Sequence, residues 1–208
     1  MKISIVTGVW KRPDVFRLFA QGIKNLNYDL RVIVAGSEGF RSRRMVESEG
    51  FEYIEIRNFP LSAKMNATTR AAKGSDYVIC MGSDDILSPH LFKVYLEHMG
   101  KGVDFIGLED LYFYDIATKR SLYWAGYRGE RKGKTTGVAR CLSKKTMEMM
   151  DWHPWGSHLN RYLDASMDKH IKQIRLKKII NLKREGLMAV DVKNRNNLTK
   201  FDKWDNSE

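Results

Sequence analysis

Four strand-length apolar runs alternate with helix-patterned stretches between residues 2 and 81, and this alternation is what most constrains the fold. Residues 2–7, 30–35, 52–56 and 76–81 are each rich in branched or aromatic side chains and short enough to be strands. Between them, Val15, Phe16, Phe19, Ile23 and Leu26 recur at helical spacing behind Pro13. Residues 40–49 and 61–73 carry two further helical patterns. Strands separated by helices of this length make βαβ units, and such units build a largely parallel sheet covered on both faces. Ligands then bind beyond the carboxyl ends of the strands, so the loops after residues 7, 35 and 81 are the places to look for chemistry.

The second half changes character. Ser88 and Pro89 begin a helix with Leu91, Phe92, Tyr95, Leu96 and Met99 on one face. Residues 103–108, 110–116, 121–127 and 136–142 read as strands, the second and third forming a hairpin that turns at 117–120. Ser143 opens another helix, and a further one is predicted from about Ser157 past His170. The span 171–184 is apolar over too much of a helical wheel for one amphipathic helix and should be broken. Residues 187–192 suit a last strand, and the remainder is polar. One domain is expected over 1–208, with a ligand-binding half at 1–100, a second half at 101–192 and a tail at 193–208.

With 208 residues and 43% apolar side chains, the chain has material for one full core. No run approaches the roughly 18 apolar residues that span a bilayer. No apolar leader precedes the first strand, so a cytoplasmic location is the expectation. Cys80 and Cys141 sit inside apolar runs without metal-ligand spacing and are read as free thiols. The net charge of +11 points to phosphates, nucleic acid or an anionic surface. The basic run 169–184 offers one way to follow a nucleic-acid backbone, although a solvated helix face is the commoner reason for such a run.

The strongest local signal is Gly82-Ser83-Asp84-Asp85. It sets two carboxylates at the end of an apolar strand, just before a capped helix. Carboxylates favour hard cations such as Mn²⁺ or Mg²⁺, which can bridge a diphosphate and stabilise charge on it as it departs. Nearby, Trp10 can stack on a base, and Lys11 or Arg12 can meet phosphate.

This arrangement resembles the family 2 glycosyltransferases with the GT-A fold. Asn66 stands eight residues before Gly74, and Asp76-Tyr77-Val78-Ile79 leads to the acidic turn, as in that family. The resemblance implies a Rossmann-like three-layer α/β sandwich with a mostly parallel central sheet and a small antiparallel element. It implies metal contact from Asp84 and Asp85. Thr7, Gly8, Trp10, Arg12, Glu38, Lys64, Asn66, Ser83 and Asp84 would bind a nucleoside-diphosphate sugar, with a UDP-sugar foremost. Two positions depart from the family pattern. Gly82 replaces the first acid, and Met65 replaces an arginine, with Lys64 beside it as the substitute charge. Leu163-Asp164 matches the family's Glu-Asp pair, which makes Asp164 the general base of an inverting transfer to an acceptor hydroxyl, with Asp168 in reserve. The acceptor is open, DNA among the candidates. A nucleic-acid-binding module on a degenerate glycosyltransferase fold is the competing expectation.

Overall fold

The computed structural model describes residues 1–195, 197, 201 and 202. The first half follows the predicted alternation. Strand β1 (Ile3–Gly8) leads to α1 (Pro13–Lys24), β2 (Leu30–Gly36) to α2 (Phe40–Glu47), and β3 (Glu52–Glu55) to α3 (Leu61–Ala71). Then come β4 (Tyr77–Cys80), β5 (Asp85–Leu87) and α4 (Pro89–Gly100), which starts at Pro89 with the Ser88 hydroxyl accepting from the Leu91 amide. That cap satisfies one of the four amides a helix start leaves unbonded. The second half contributes β6 (Phe105–Leu108), β7 (Leu111–Asp115), β8 (Ser121–Trp124), β9 (Arg140–Ser143), α5 (Lys144–Met149), α6 (Leu163–Ile171), β10 (Lys177–Ile180), α7 (Leu182–Glu185) and β11 (Ala189–Lys193).

Seven strands form the central sheet in the order β10-β6-β9-β4-β1-β2-β3. All neighbouring pairs run parallel except those made by β9, which is antiparallel to both β4 and β6. Alternation along the strands explains the layering. On β1 and β4, Ile3, Ile5, Tyr77 and Ile79 join one apolar cluster with Phe16, Phe19 and Phe92. Val6, Val78 and Cys80 join another with Met147, Trp152 and Trp155. A sheet with both faces buried needs apolar residues at successive positions, which is why these strands read as continuous runs.

A smaller sheet, β5-β11-β7-β8, stands beside the first. Its β7–β8 pair is the expected hairpin. The strand β5 was not anticipated, and it decides the site, because Asp85 on β5 lies directly opposite Asp191 on β11. Two further expectations need correction, the helix start and the spread of the basic run, and the expected break is met. The helix foreseen from Ser157 begins only at Leu163. The break foreseen within 171–184 is a whole strand, β10, at the edge of the large sheet. That strand scatters the basic run over a helix end, a strand and a short helix instead of one face. The polar tail falls largely outside the described residues; Asn197 and Phe201, which are described, are both buried. Among the described residues, no helix is long and apolar enough to cross a membrane. Both cysteines are buried and free, and burial pushes the Cys80 thiol up to about 12.

Candidate functional site

β1 and β4 are neighbours whose outer partners diverge, so the loops at their carboxyl ends face each other across a crevice. A cavity of about 510 Å³ opens there. Gly8, Trp10, Arg12, Lys64, Ser83 and Asp84 line it from the first half, and Asp164 lines it from α6. The remaining sequence candidates lie elsewhere. Thr7 is buried in β1. The Glu38 carboxylate accepts from the Lys11 amide at 2.8 Å and from Ser42. The Asn66 side chain is spent on Trp155, donating to its carbonyl at 2.9 Å and accepting from its amide at 3.3 Å. Asn66 thus ties α3 to the segment before α6 and holds the cavity wall rather than lining it. Asp168, the reserve base, is bonded to Arg140 at 2.8 Å and does not line the cavity.

The acidic turn is more crowded than its sequence implied. Asp84 accepts from Arg12 Nη1 at 2.6 Å and from Asn197 Nδ2 at 2.7 Å, and Arg12 Nη2 also reaches Ser83 Oγ at 3.2 Å. Asp85 folds back to accept from the Gly82 amide at 2.5 Å. A Cβ on Gly82 would run into the Asp84 carboxylate and lie 3.1 Å from Asp85 Oδ2. A side chain at Gly82 would therefore require the Asp84 carboxylate to turn aside and would crowd that of Asp85. A third carboxylate beside the pair is that of Asp191, which sequence reasoning did not single out. Its only signal was an acid in the last predicted strand, and pairing with β5 cannot be read from that.

Asp84, Asp85 and Asp191 bring carboxylate oxygens within 4.8 Å of one another. Like charges opposed across strands are unfavourable unless something compensates them. Burial, then Asp191 and Asp84, drives the Asp85 carboxyl well above its usual range. Burial likewise raises Asp191 to about 6, against the pull of Lys193, whose ammonium lies 2.6 Å from Asp191 Oδ2. Asp191 Oδ1 is buried with no hydrogen-bond partner. Three hard oxygen donors, one of them orphaned, fit a divalent cation of the Mg²⁺ or Mn²⁺ kind.

Lys64, expected to supply positive charge at the site, lines the cavity but has its ammonium engaged by the protein. It is fully buried, and its ammonium donates to the Val9 carbonyl at 2.7 Å, Asn58 Oδ1 at 3.2 Å and Ser37 Oγ at 3.4 Å. It thus fastens together the loops after β1, β2 and β3. Burial lowers its pKa to about 8, with Glu38 and Glu55 opposing that shift. The native state then releases this proton before the unfolded chain does. Wild-type stability should gain roughly 2–3 kcal/mol from Lys64 as pH rises from about 8 to 10.5. Urea melts across that window should show this increment in the wild type and not in Lys64→Met; equal slopes for the two proteins would refute it.

On the far wall, Asp164 Oδ2 accepts from Tyr127 Oη at 2.5 Å and Arg131 Nη2 at 2.8 Å. Burial acts to raise this carboxyl, but the two hydrogen bonds and the Arg131 charge outweigh it and hold it below the usual range. Asp164 is therefore ionised at neutral pH, and both bonds fall on one oxygen. Arg140, itself buried, donates to the Asp164 carbonyl at 2.7 Å and fixes that end of α6.

No protein-family model matches the chain, and no curated protein matches it. Solved structures do match in shape. TarS from S. aureus, residues 1–349, aligns with a TM-score of 0.65 at 10% identity over 86% of this chain and 58% of that one. The 4-diphosphocytidyl-2C-methyl-D-erythritol synthase of Anaerococcus prevotii aligns at 0.59, also at 10% identity, over 86% and 88%. The bifunctional IspDF of Campylobacter jejuni aligns at 0.57 and 10% identity over 87% of this chain and 50% of its own. The likeness is one of fold: this chain is a GT-A-like, Rossmann-type α/β sandwich with a mostly parallel seven-stranded sheet and a small second sheet.

Proposed function

We propose that the chain is a metal-assisted glycosyltransferase that moves a sugar from a nucleoside-diphosphate sugar, a UDP-sugar foremost, to an acceptor hydroxyl with inversion. The observation that carries this reading is that Asp84 and Asp164, contributed by opposite halves of the chain, line one cavity at the carboxyl ends of β1 and β4. The loops joined by Lys64, with Trp10 beside them, suit the nucleoside. Arg12 and the acidic turn suit the diphosphate. A Mn²⁺ or Mg²⁺ ion on Asp84, Asp85 and Asp191 would supply Lewis-acid stabilisation of the departing diphosphate. Asp164, ionised and with Oδ1 outside the Tyr127 and Arg131 bonds, takes the acceptor proton as the acceptor oxygen bonds to the anomeric carbon. The bond from that carbon to the diphosphate breaks, and the nucleoside diphosphate leaves with the electron pair.

The synthase likeness favours a second reading, nucleotidyl transfer, in which a nucleoside triphosphate is consumed and pyrophosphate released. The loop after β1 is not glycine-rich, which weakens that reading. The test is turnover of uridine, guanosine and thymidine diphosphate sugars with Mn²⁺ or Mg²⁺, alongside nucleoside triphosphates. Nucleoside diphosphate release is the expected result, and Asp164→Asn should reduce it about 10²–10⁴-fold. Pyrophosphate release would favour the second reading. Thermal stabilisation by DNA regardless of metal, with no turnover of any donor, would leave a nucleic-acid-binding module.

A further inference from the structure

The side-chain amide of Asn58 faces the large cavity with its oxygen already committed to the protein. We infer that Asn58 is a specificity-determining residue for the nucleotide, one that selects a pyrimidine with a carbonyl at C4, uracil or thymine, over cytosine, which has an amino group there. The inference rests on the glycosyltransferase reading and gives its choice of base a residue and a chemical reason.

Asn58 follows β3, and β3 stands three strands along the central sheet from β4. Asn58 lines the cavity with Val9, Trp10 and Phe59, whereas Arg12, Ser83 and Asp84 line it beside β4. A nucleoside diphosphate whose phosphates meet Arg12 and the acidic turn therefore directs its base toward the loop after β3. Phe59 is 66% exposed and offers an open ring to the face of a base, while Lys11 Nζ stands 4.8 Å over the ring of Trp10. The edge of the base needs a polar partner. Glu38 is bonded to the Lys11 amide and to Ser42 and does not line the cavity.

The orientation of the Asn58 amide follows from its neighbour. An ammonium carries three hydrogens and no lone pair, so the atom 3.2 Å from Lys64 Nζ must be the oxygen, Oδ1. Ser37 Oγ donates to the same oxygen at 3.4 Å, which uses both of its lone pairs. Nδ2 then holds two hydrogens that bond to nothing among the described residues. Lys64 spends its own three hydrogens on Val9, Asn58 and Ser37, so the donor that a ligand meets here is the amide and not the ammonium. Asn160, on the adjoining wall, repeats the pattern: its Oδ1 accepts from the Leu61 amide at 2.9 Å, which turns its NH₂ group outward from that bond.

These side chains present donors to a base and withhold acceptors. In a pyrimidine nucleotide, C4 lies across the ring from the nitrogen that carries ribose. With the phosphates at the acidic turn, the C4 edge is the one that reaches the loop after β3. The C4 carbonyl of uracil or thymine accepts from the Asn58 NH₂ group. The C4 amino group of cytosine sets donor against donor and leaves both unpaired, and a site built to bond one group rejects an analogue in this way.

The test is isothermal titration of the full chain with UDP, CDP and GDP, each with Mn²⁺, at pH 7, where Lys64 is charged because its pKa is about 8. UDP and CDP have the same size and charge and differ in the C4 edge, so a difference between them reads that edge. UDP should bind about tenfold more tightly than CDP, or better. Asn58→Asp keeps the shape and an oxygen for Lys64 but puts a second oxygen where Nδ2 stood, and it should reverse the order. Asn58→Ala should bind the two about equally. Melting temperatures check the fold of each variant, and the wild-type comparison decides even where a variant does not fold. CDP bound as tightly as UDP by the wild type, or a UDP preference kept in folded Asn58→Asp, would overturn the inference. Binding of GDP but of neither pyrimidine would do the same. Each of these results leaves the glycosyltransferase reading standing. Failure of every nucleoside diphosphate to bind would remove that reading, and this inference with it.

Discussion

Asp84→Asn is expected to abolish metal-dependent binding of nucleoside diphosphate and to lower kcat/KM by about 10³. The estimate follows from what removal of one positioned electrostatic group costs in an active site, about 3–4 kcal/mol. Asp84 alone of the three clustered carboxylates lines the large cavity, so it alone can be shared between a cation and a diphosphate there. The amide keeps the shape of the side chain and one oxygen for Arg12 or Asn197. Folding should therefore change little, because the Arg12–Asp84 pair is partly exposed. Thermal-shift assays with UDP and Mn²⁺, together and apart, separate the two consequences. The wild type should be stabilised only by the pair of ligands and the variant by neither. A variant that still responds to the pair would place the cation elsewhere.

The largest loss of stability is expected from Arg140→Met. Arg140 is 1% exposed and donates to the Thr135, Thr136 and Asp164 carbonyls and to Asp168 Oδ1. A methionine fills similar volume but leaves Asp168 buried without its closest cation, since Arg131 and Lys134 stand 3.7 Å away. Breaking a buried pair from one side costs about 3–5 kcal/mol. For a chain of this size that corresponds to a fall of roughly 10 °C in Tm. Asp168→Asn added to Arg140→Met should recover part of the loss, because no uncompensated charge then remains. Urea unfolding would show the midpoint falling at constant slope. A double variant no better than Arg140→Met would mean that the carbonyl contacts, not the ion pair, hold this corner. Activity should fall as well, since Arg140 anchors the backbone of Asp164.

Much of the fold was legible because it is written in short-range patterns. The strands β1, β2 and β4 are apolar on successive residues because both faces of the sheet are covered. The caps Ser88 and Ser143 announce α4 and α5, and each accepts from the amide three residues on. The acidic turn was legible in the same way, as a local group at a predicted strand end, whereas Leu163-Asp164 fell inside the helix predicted from Ser157 and was singled out only through the family resemblance. β5 and β10 were missed for a physical reason. Each has three or four residues, too few to show a period, and each is a strand only because another strand lies beside it.

The site divides along the same line. The sequence marked Asp84 and Asp85 by their place at a predicted strand end, and Asp164 only through the family resemblance. It left the charge of Gly82 unaccounted for and gave Lys64 and Asn66 to the ligand. Only the tertiary structure shows why these readings shift. A side chain on Gly82 would crowd the Asp84 and Asp85 carboxylates, Lys64 lines the cavity with its ammonium already bonded to oxygens of three loops, and Asn66 is bonded to Trp155 across the chain. Asp191 becomes a partner of Asp85 through antiparallel pairing between strands far apart in sequence, a contact fixed by register and not by any local pattern.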